Sequence, residues 1–376
     1  MEIRSKYFPL LFLFLILFLN PSCNNSKTTF EERGENMMGH SRLLKMYDRD
    51  GYQEVLILSE PDSEDVVAHY FLVPDGLNLP DSIPEGVEVL RTPLKSWIVD
   101  SEVYMSAIEE LGASDSISGV FDASFISSQS IRSKIDEGRI SDVGSPSTPN
   151  TEKILSLAPS AITLSYFEGM DAKGLDKLGV PIIKMYDLQE QTPLGRAEWL
   201  RFIGRLSGHG ERSDSIFDQV ANNYNKLKEE AAGKTARPKV LTDLIYNGVW
   251  YASGGDSYQA NLIKDAGGNY FMGDDRSSGT LNLSMEQVLQ KANDADIWLI
   301  KLFGEDVSLK SLTDRDSRYS NFKPYKEKTV YYSNTQNNSL FRDFPFHPDL
   351  LLGEYIILFN GEQDKKGLKY FKKASE

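Results

Sequence analysis

The side chains with the most chemical reach in this 376-residue sequence are few and far apart. Its four histidines, His40, His69, His209 and His347, have no second ligand at metal-binding spacing, so no metal site made by the protein's own residues is expected. Ser257, in Gly255-Asp256-Ser257, and the distant His347 are the residue types that act as nucleophile and base in ester hydrolysis. That chemistry needs the two within hydrogen-bond reach and a third group orienting the base. The only cysteine is Cys23, so a mature chain beginning there has no internal disulfide and no thiolate metal site. The remaining candidates are aromatic and guanidinium groups near the ends of strand-like runs. Tyr and Trp present flat amphipathic surfaces, and Arg276 and Arg342 present forks suited to carboxylates.

The first residues read as an export signal. Arg4 and Lys6 precede a 13-residue apolar run, Tyr7–Leu19, too short to span a hydrocarbon core of about 20 helical residues but of secretory length. Ser22 and Cys23 follow, and this placement resembles a bacterial lipobox, with the thiol lipidated and the mature chain starting at Cys23. The alternative is ordinary signal cleavage nearby with Cys23 incidental. Residues 1–22 are thus assigned as a lipoprotein signal peptide and 23–39 as a flexible polar tether. The expected location is the periplasm, anchored to a membrane through Cys23. With 41 Lys+Arg against 55 Asp+Glu, the net charge of −14 makes nucleic acid and anionic membrane surfaces poor partners.

The elements that must position the candidate residues follow from hydrophobic periodicity. Residues 40–85 carry strand-like runs at Val55–Leu58 and Val66–Val73 between Gly and Pro, which predicts a small β-rich, antiparallel hairpin unit. Strand and helix patterns then alternate over 86–195 and again over 235–376, as expected for parallel βα units. Residues 196–234 are helical, with stripes Trp199, Phe202, Ile203, Leu206 and Ile216, Phe217, Val220, Tyr224, Leu227; Ser213 is the expected cap of the second. A segment also occurs twice. Asn150–Leu164 can be laid on Ser284–Leu299 with one insertion, Asp296, each copy giving a polar cap, a Glu two residues later, a short helix and a strand. Two like-built lobes joined by the helical middle would place a ligand cleft between them.

Thr192–Gly204, Ala266-Gly-Gly-Asn269 and Phe346-His-Pro-Asp-Leu350 resemble the substrate-binding proteins of ABC importers for iron complexes and cobalamin, over roughly residues 95–360. The resemblance implies an α/β fold of two Rossmann-like lobes bridged by one long helix, with residues 40–85 as an addition outside the family core. It implies no catalysis and no resident cofactor. The cargo would be a metal–organic complex (a ferric siderophore, haem or corrinoid), the partners an ABC permease with its ATPase, and the protein a monomer. Ligand contacts would come from loops after the strands: Ser101, Tyr104, Phe121, Asp122, Tyr166 and Phe167 from one lobe, and Trp250, Tyr251, Tyr258, Arg276, Ser277, Phe303 and Arg342 from the other. Pro146 and Thr280 stand where a corrin clasp would be expected to be aromatic. Glu152 and Glu286 match the glutamates that dock on permease arginines; both also sit in first helical turns, where a carboxylate complements the dipole. Two rival readings stay open: a Gly-Asp-Ser type esterase, and a cell-surface binding lipoprotein without a transporter. In the hydrolases that carry Gly-Asp-Ser the motif lies early and an Asp precedes the His by three residues. Here Ser257 lies past the midpoint and Phe344 holds that place.

Overall fold

The N-terminal addition is built from four strands, β1 (Leu44–Arg49), β2 (Tyr52–Leu58), β3 (Val66–Pro74) and β4 (Glu88–Thr92), in the order β1-β2-β3-β4. The structure, a computed structural model, describes residues 34–61, 63–166 and 174–376; the export run, Cys23 and Phe167 lie outside them. Asp50-Gly51 closes the first hairpin in two residues, with Arg49 opposite Tyr52 and Gly51 at φ +83°. β2 and β3 are antiparallel, but β4 returns parallel to β3. The addition therefore runs to Thr92, past the boundary expected at residue 85, and is not the simple antiparallel unit expected. Residues 75–87, about a dozen, are long enough to carry the chain back for this parallel return, though they form no helix or strand. Tyr70 fixes the sheet to the first lobe: its hydroxyl donates to Ile182 O and accepts from Lys184 N, both at 2.9 Å.

The first lobe comprises β5 (Trp97–Val99), α1 (Glu102–Leu111), β6 (Ile117–Val120), α2 (Gln129–Asp136), β7 (Ser141–Asp142), the short hairpin β8 (Gly144–Ser145) and β9 (Thr148–Pro149), α3 (Thr151–Leu157), β10 (Ala161–Ser165) and β11 (Ile182–Met185). Its sheet is parallel, in the order β11-β10-β5-β6-β7. Three helices follow: α4 (Pro193–Ala197), α5 (Trp199–Ser207) and α6 (Gly210–Ala232).

The second lobe comprises β12 (Lys239–Thr242), β13 (Ile245–Tyr246), β14 (Val249–Ser253), α7 (Tyr258–Asp265), β15 (Asn269–Tyr270), β16 (Thr280–Leu283), α8 (Met285–Ala292), β17 (Ile297–Leu302), α9 (Leu309–Arg315), α10 (Lys323–Glu327), β18 (Val330–Asn334), α11 (Leu340–Asp343), α12 (Pro348–Phe359), α13 (Gln363–Lys366) and β19 (Lys372–Lys373). Its main sheet, β15-β12-β17-β18-β19, is parallel except for the last strand, and β13-β14-β16 form a small antiparallel sheet.

The two main sheets share one topology. In each, the lobe's first strand (β5, β12) has the second on one side (β6, β15) and a later pair on the other (β10 then β11, β17 then β18). The repeated segments occupy equivalent places, α3–β10 and α8–β17, and start alike. Asn150 accepts from Lys153 N at 3.0 Å, and Ser284 accepts from Gln287 N at 3.3 Å while Gln287 accepts from Ser284 N at 2.8 Å.

The long helix of the bridge is α6, whose 23 residues reach about 35 Å at 1.5 Å each. The linker expected over 196–234 is thus broken: Gly208, at φ +75°, ends α5 against Pro93. Trp199, Phe202 and Leu206 of α5 belong to the first lobe's core, Phe217, Val220 and Tyr224 of α6 to the second's, and Ile216 packs against both. Ser213 is not the expected cap. α6 starts three residues earlier, and the Ser213 hydroxyl donates back to Gly210 O at 2.8 Å. It faces Gly204 of α5 so closely that a Cβ there would overlap it. Across the lobes, His347 Nε2 lies 2.8 Å from Glu110 Oε2 of α1. His347 stands at the N-cap position of α12, as expected of a residue that helps start the helix, but its ring makes no capping bond. Burial works against charge on that ring, yet the Glu110 hydrogen bond and carboxylate, with Asp349 and Asp343, prevail and raise its pKa.

Two outcomes are expected. Gly204→Ala should destabilise by about 1–3 kcal/mol in urea unfolding through overpacking, and Ser213→Gly should offset part of that loss in the double variant. The His347–Glu110 pair should contribute fully below the unfolded-state pKa of about 6.5 and be lost as pH rises through the raised folded value. The stability difference between wild type and His347→Gln, on the order of 1 kcal/mol at pH 6, should therefore shrink by pH 8.5 in parallel urea titrations.

Candidate functional site

In a parallel sheet, ligands gather at the strands' C-terminal ends, and here those ends face each other across the lobe seam. One cavity of about 610 Å³ lies there, between Ser101–Val103, Ser124–Ser127 and Arg132 of the first lobe and Phe303, Thr335–Asn338, Phe341 and Arg342 of the second. Three phenylalanines around it are unusually open to solvent: Phe125 is 69% exposed, Phe303 58% and Phe341 45%. Such rings are normally among the most buried, and here three border one cavity. The Phe125 loop is held in place: Glu102 accepts from Ser127 N at 2.7 Å and from Ser128 N, and Arg132 Nε donates to Ile126 O at 2.6 Å. Arg342 Nη1 lies 4.0 Å from Glu102, while its Nε is enclosed with no partner among the described residues. A ligand acceptor would satisfy that donor.

A second cavity of about 620 Å³ lies along the same seam, lined in part by Gln189–Gln191, Arg196, Ser257–Gln259, Lys301 and Phe344. Arg196 is buried and paired, its Nε 2.9 Å from Asp187, which also accepts from the Tyr104 hydroxyl. The guanidinium carbon lies 5.6 Å from the Tyr258 ring centroid and 5.1 Å from that of Phe344, both in the second lobe. Nearby, Asp100 Oδ2 accepts from Ser165 N at 2.6 Å and Oδ1 is enclosed without a partner among the described residues. Burial drives the Asp100 pKa up to about 7 against the Ser165 hydrogen bonds, with the Asp187 charge adding to the rise.

The expected contact residues divide. Ser101, Phe303 and Arg342 line the first cavity and Tyr258 the second. Ser101 also caps α1, accepting from Val103 N at 3.3 Å. Tyr104, Phe121 and Trp250 are corrections, since all three are buried in the cores. Trp250 stacks on Trp298 at 6.1 Å and donates to Thr242 O, so its indole is spent inside the lobe. Asp122 adopts φ +47° at the turn after β6 and lines neither cavity. Tyr166 stacks on Tyr186 at 5.6 Å. Tyr251 is exposed on β14, Arg276 is exposed 3.9 Å from Asp256, and Ser277 turns onto Asp275. Phe125, Phe341, Arg132, Arg196, Gln259 and Lys301 were not anticipated. Phe125 lies beyond the turn after β6, and Phe341 lies in α11, well past the end of β18, so neither directly follows a strand.

Ser257 accepts from Ala260 N at 3.2 Å as the cap of α7, and His347 is engaged by Glu110; the two share no hydrogen bond. Among the described residues no three His, Cys, Asp or Glu side chains are grouped to hold a metal ion. Glu152 and Glu286 are exposed in the first turns of α3 and α8.

Comparison with known proteins agrees with this architecture. A family model described as periplasmic binding protein matches residues 102–336. An uncharacterized lipoprotein of Methanocaldococcus jannaschii is 26% identical over 373 residues, covering 90% of this chain and 87% of that protein. Among solved structures, the periplasmic vitamin B12 binding protein of Vibrio cholerae superposes with a TM-score of 0.53 at 17% identity, covering 73% of this chain and 99% of that one. A periplasmic heme-binding protein of Roseiflexus sp. RS-1 does so with a TM-score of 0.54 at 19% identity, covering 71% and 99%. These structural likenesses are of fold. Since the family match takes in most of both lobes and the whole bridge, this chain belongs to the periplasmic binding protein family.

Proposed function

We propose that this protein is the substrate-binding lipoprotein of an ABC importer, capturing a metal–organic complex between its lobes and delivering it to a permease. The observation that carries the reading is the trio Phe125, Phe303 and Phe341, drawn from both lobes onto one cavity beside Arg132 and Arg342. Aromatic faces with guanidinium groups at the margin suit a flat or aromatic organic ligand with acidic substituents, such as haem, a corrinoid or a ferric siderophore. With no protein metal cluster among the described residues, the metal would arrive already held by its organic partner. The solved neighbours named for vitamin B12 and heme support this class of cargo. The lipoprotein relative supports an anchor at Cys23.

Delivery would use Glu152 and Glu286, equivalent positions of the two lobes. Glu286 already pairs with an arginine, Arg318, at 2.8 Å, and stays largely exposed. That is the contact a permease arginine would replace or extend.

Purification from the native host, followed by absorbance spectroscopy and mass spectrometry, should recover a haem, ferric siderophore or corrinoid with its own absorption band. Replacing Phe125 and Phe303 together by Ser should weaken rebinding of that compound by about 2–4 kcal/mol, roughly 30-fold or more. Recovery of no organic metal complex would overturn the cargo assignment. For docking, Glu152→Lys or Glu286→Lys should leave cargo affinity intact and abolish uptake in cells. Lost affinity, or undiminished uptake, would overturn the docking assignment.

A further inference from the structure

The second cavity is walled on one side by the N-terminal addition, which contributes Leu43 and Ser59–Pro61. This sheet precedes the family match at residues 102–336, so that wall is something the chain brings to the family's two-lobed frame. It is firmly placed. Glu198, buried at the start of α5, accepts from the backbone N–H groups of Gly39, His40 and Ser41 at 2.7–2.9 Å. Glu190, also buried, accepts from the Ser41 hydroxyl, from Leu43 N at 3.2 Å and from Trp199 Nε1 at 3.1 Å. Charge-assisted bonds of this kind, in the core, hold the addition against the seam rather than letting it swing.

The opposite wall carries a polar pair the fold does not use. Lys301, at the end of β17, donates to Gln259 Oε1 and has no ion-pair partner among the described residues. Gln259 Nε2 is enclosed without any hydrogen-bond partner among them. An unpaired ammonium beside an unsatisfied amide donor is costly in a closed site unless something completes it. Of the other charged groups lining it, Arg196 is committed to Asp187 and Glu190 to its donors, while Glu60, on the sheet wall, is exposed to solvent. Between these polar groups lie Leu188, Leu262, Leu340, Phe344 and Leu351. We infer that this cavity is a second compartment of the ligand site, closed by the N-terminal sheet, which takes an apolar arm ending in a carboxylate held by Lys301 and Gln259 Nε2. The inference rests on reading the interlobe seam as the ligand site and assigns the N-terminal sheet a direct part in specificity.

The test uses octanoate and octan-1-ol as charged and neutral probes of one shape, titrated by calorimetry into residues 36–376, which form one compact unit. Octanoate should bind ten-fold or more tightly than the alcohol. Lys301→Met should erase that difference, Gln259→Leu should reduce it, and Ser59→Trp on the sheet wall should weaken both probes. Phe303→Ser, in the other cavity, should change neither, which separates this compartment from the cargo reading. Equal octanoate affinity in wild type and Lys301→Met, loss of binding in Phe303→Ser instead, or no binding up to about 5 mM would overturn the inference.

Discussion

Arg196 carries a full charge at the point where the first lobe, the bridge and the second lobe meet. A buried guanidinium without partners costs several kcal/mol, and removing one member of such a pair leaves the other uncompensated. Here Asp187 supplies the counter-charge, Tyr104 supplies the hydrogen bond that keeps Asp187 in place, and Tyr258 with Phe344 covers the guanidinium from the second lobe. Satisfying Arg196 therefore requires both lobes to be in register. The relative placement of the two cavities along the seam follows from that requirement.

The same logic extends to the N-terminal sheet. Glu190 and Glu198 are buried carboxylates whose donors lie mostly in residues 39–43, so the helical bridge is incompletely satisfied without the addition. The inner face of the sheet, with Val55, Ile57, Tyr70 and Leu72, completes the core formed by Trp97 and Trp199. Although it lies outside the family match, the addition is part of the same packing unit as the lobes.

Long-bridge architecture has a consequence for ligand capture. α6 packs against α5 on one side and α12 on the other, with Gly204 and Ser213 in close approach, while the Glu110–His347 pair ties the lobes directly. Within this frame the cavity-lining surfaces of the two lobes already face each other. The exposed rings of Phe125, Phe303 and Phe341 are that kind of pre-organised surface.

The sequence by itself determined the alternating βα series, the amphipathic stripes of the bridge and the equivalence of Asn150–Leu164 with Ser284–Leu299. These are local patterns of period, cap and turn that the chain carries within a dozen residues. It also singled out Ser101 and Phe303, which follow strand ends, Tyr258, which opens α7, and Arg342, which lies within α11. The burial of Tyr104 is legible in the sequence, since it shares a helical face of α1 with Ala107, Ile108 and Leu111. Tertiary structure alone decided that Trp250 and Phe121 turn inward, because an aromatic near a strand end has the same sequence signature whether its ring meets the core or the cleft. It alone decided that Phe125 and Phe341 meet from different lobes, and that Leu43 and Ser59–Pro61 wall a cavity with Lys301. Those meetings join residues more than two hundred positions apart, and no local periodicity encodes which distant surfaces the packing of Arg196, Glu190 and Glu198 will bring together.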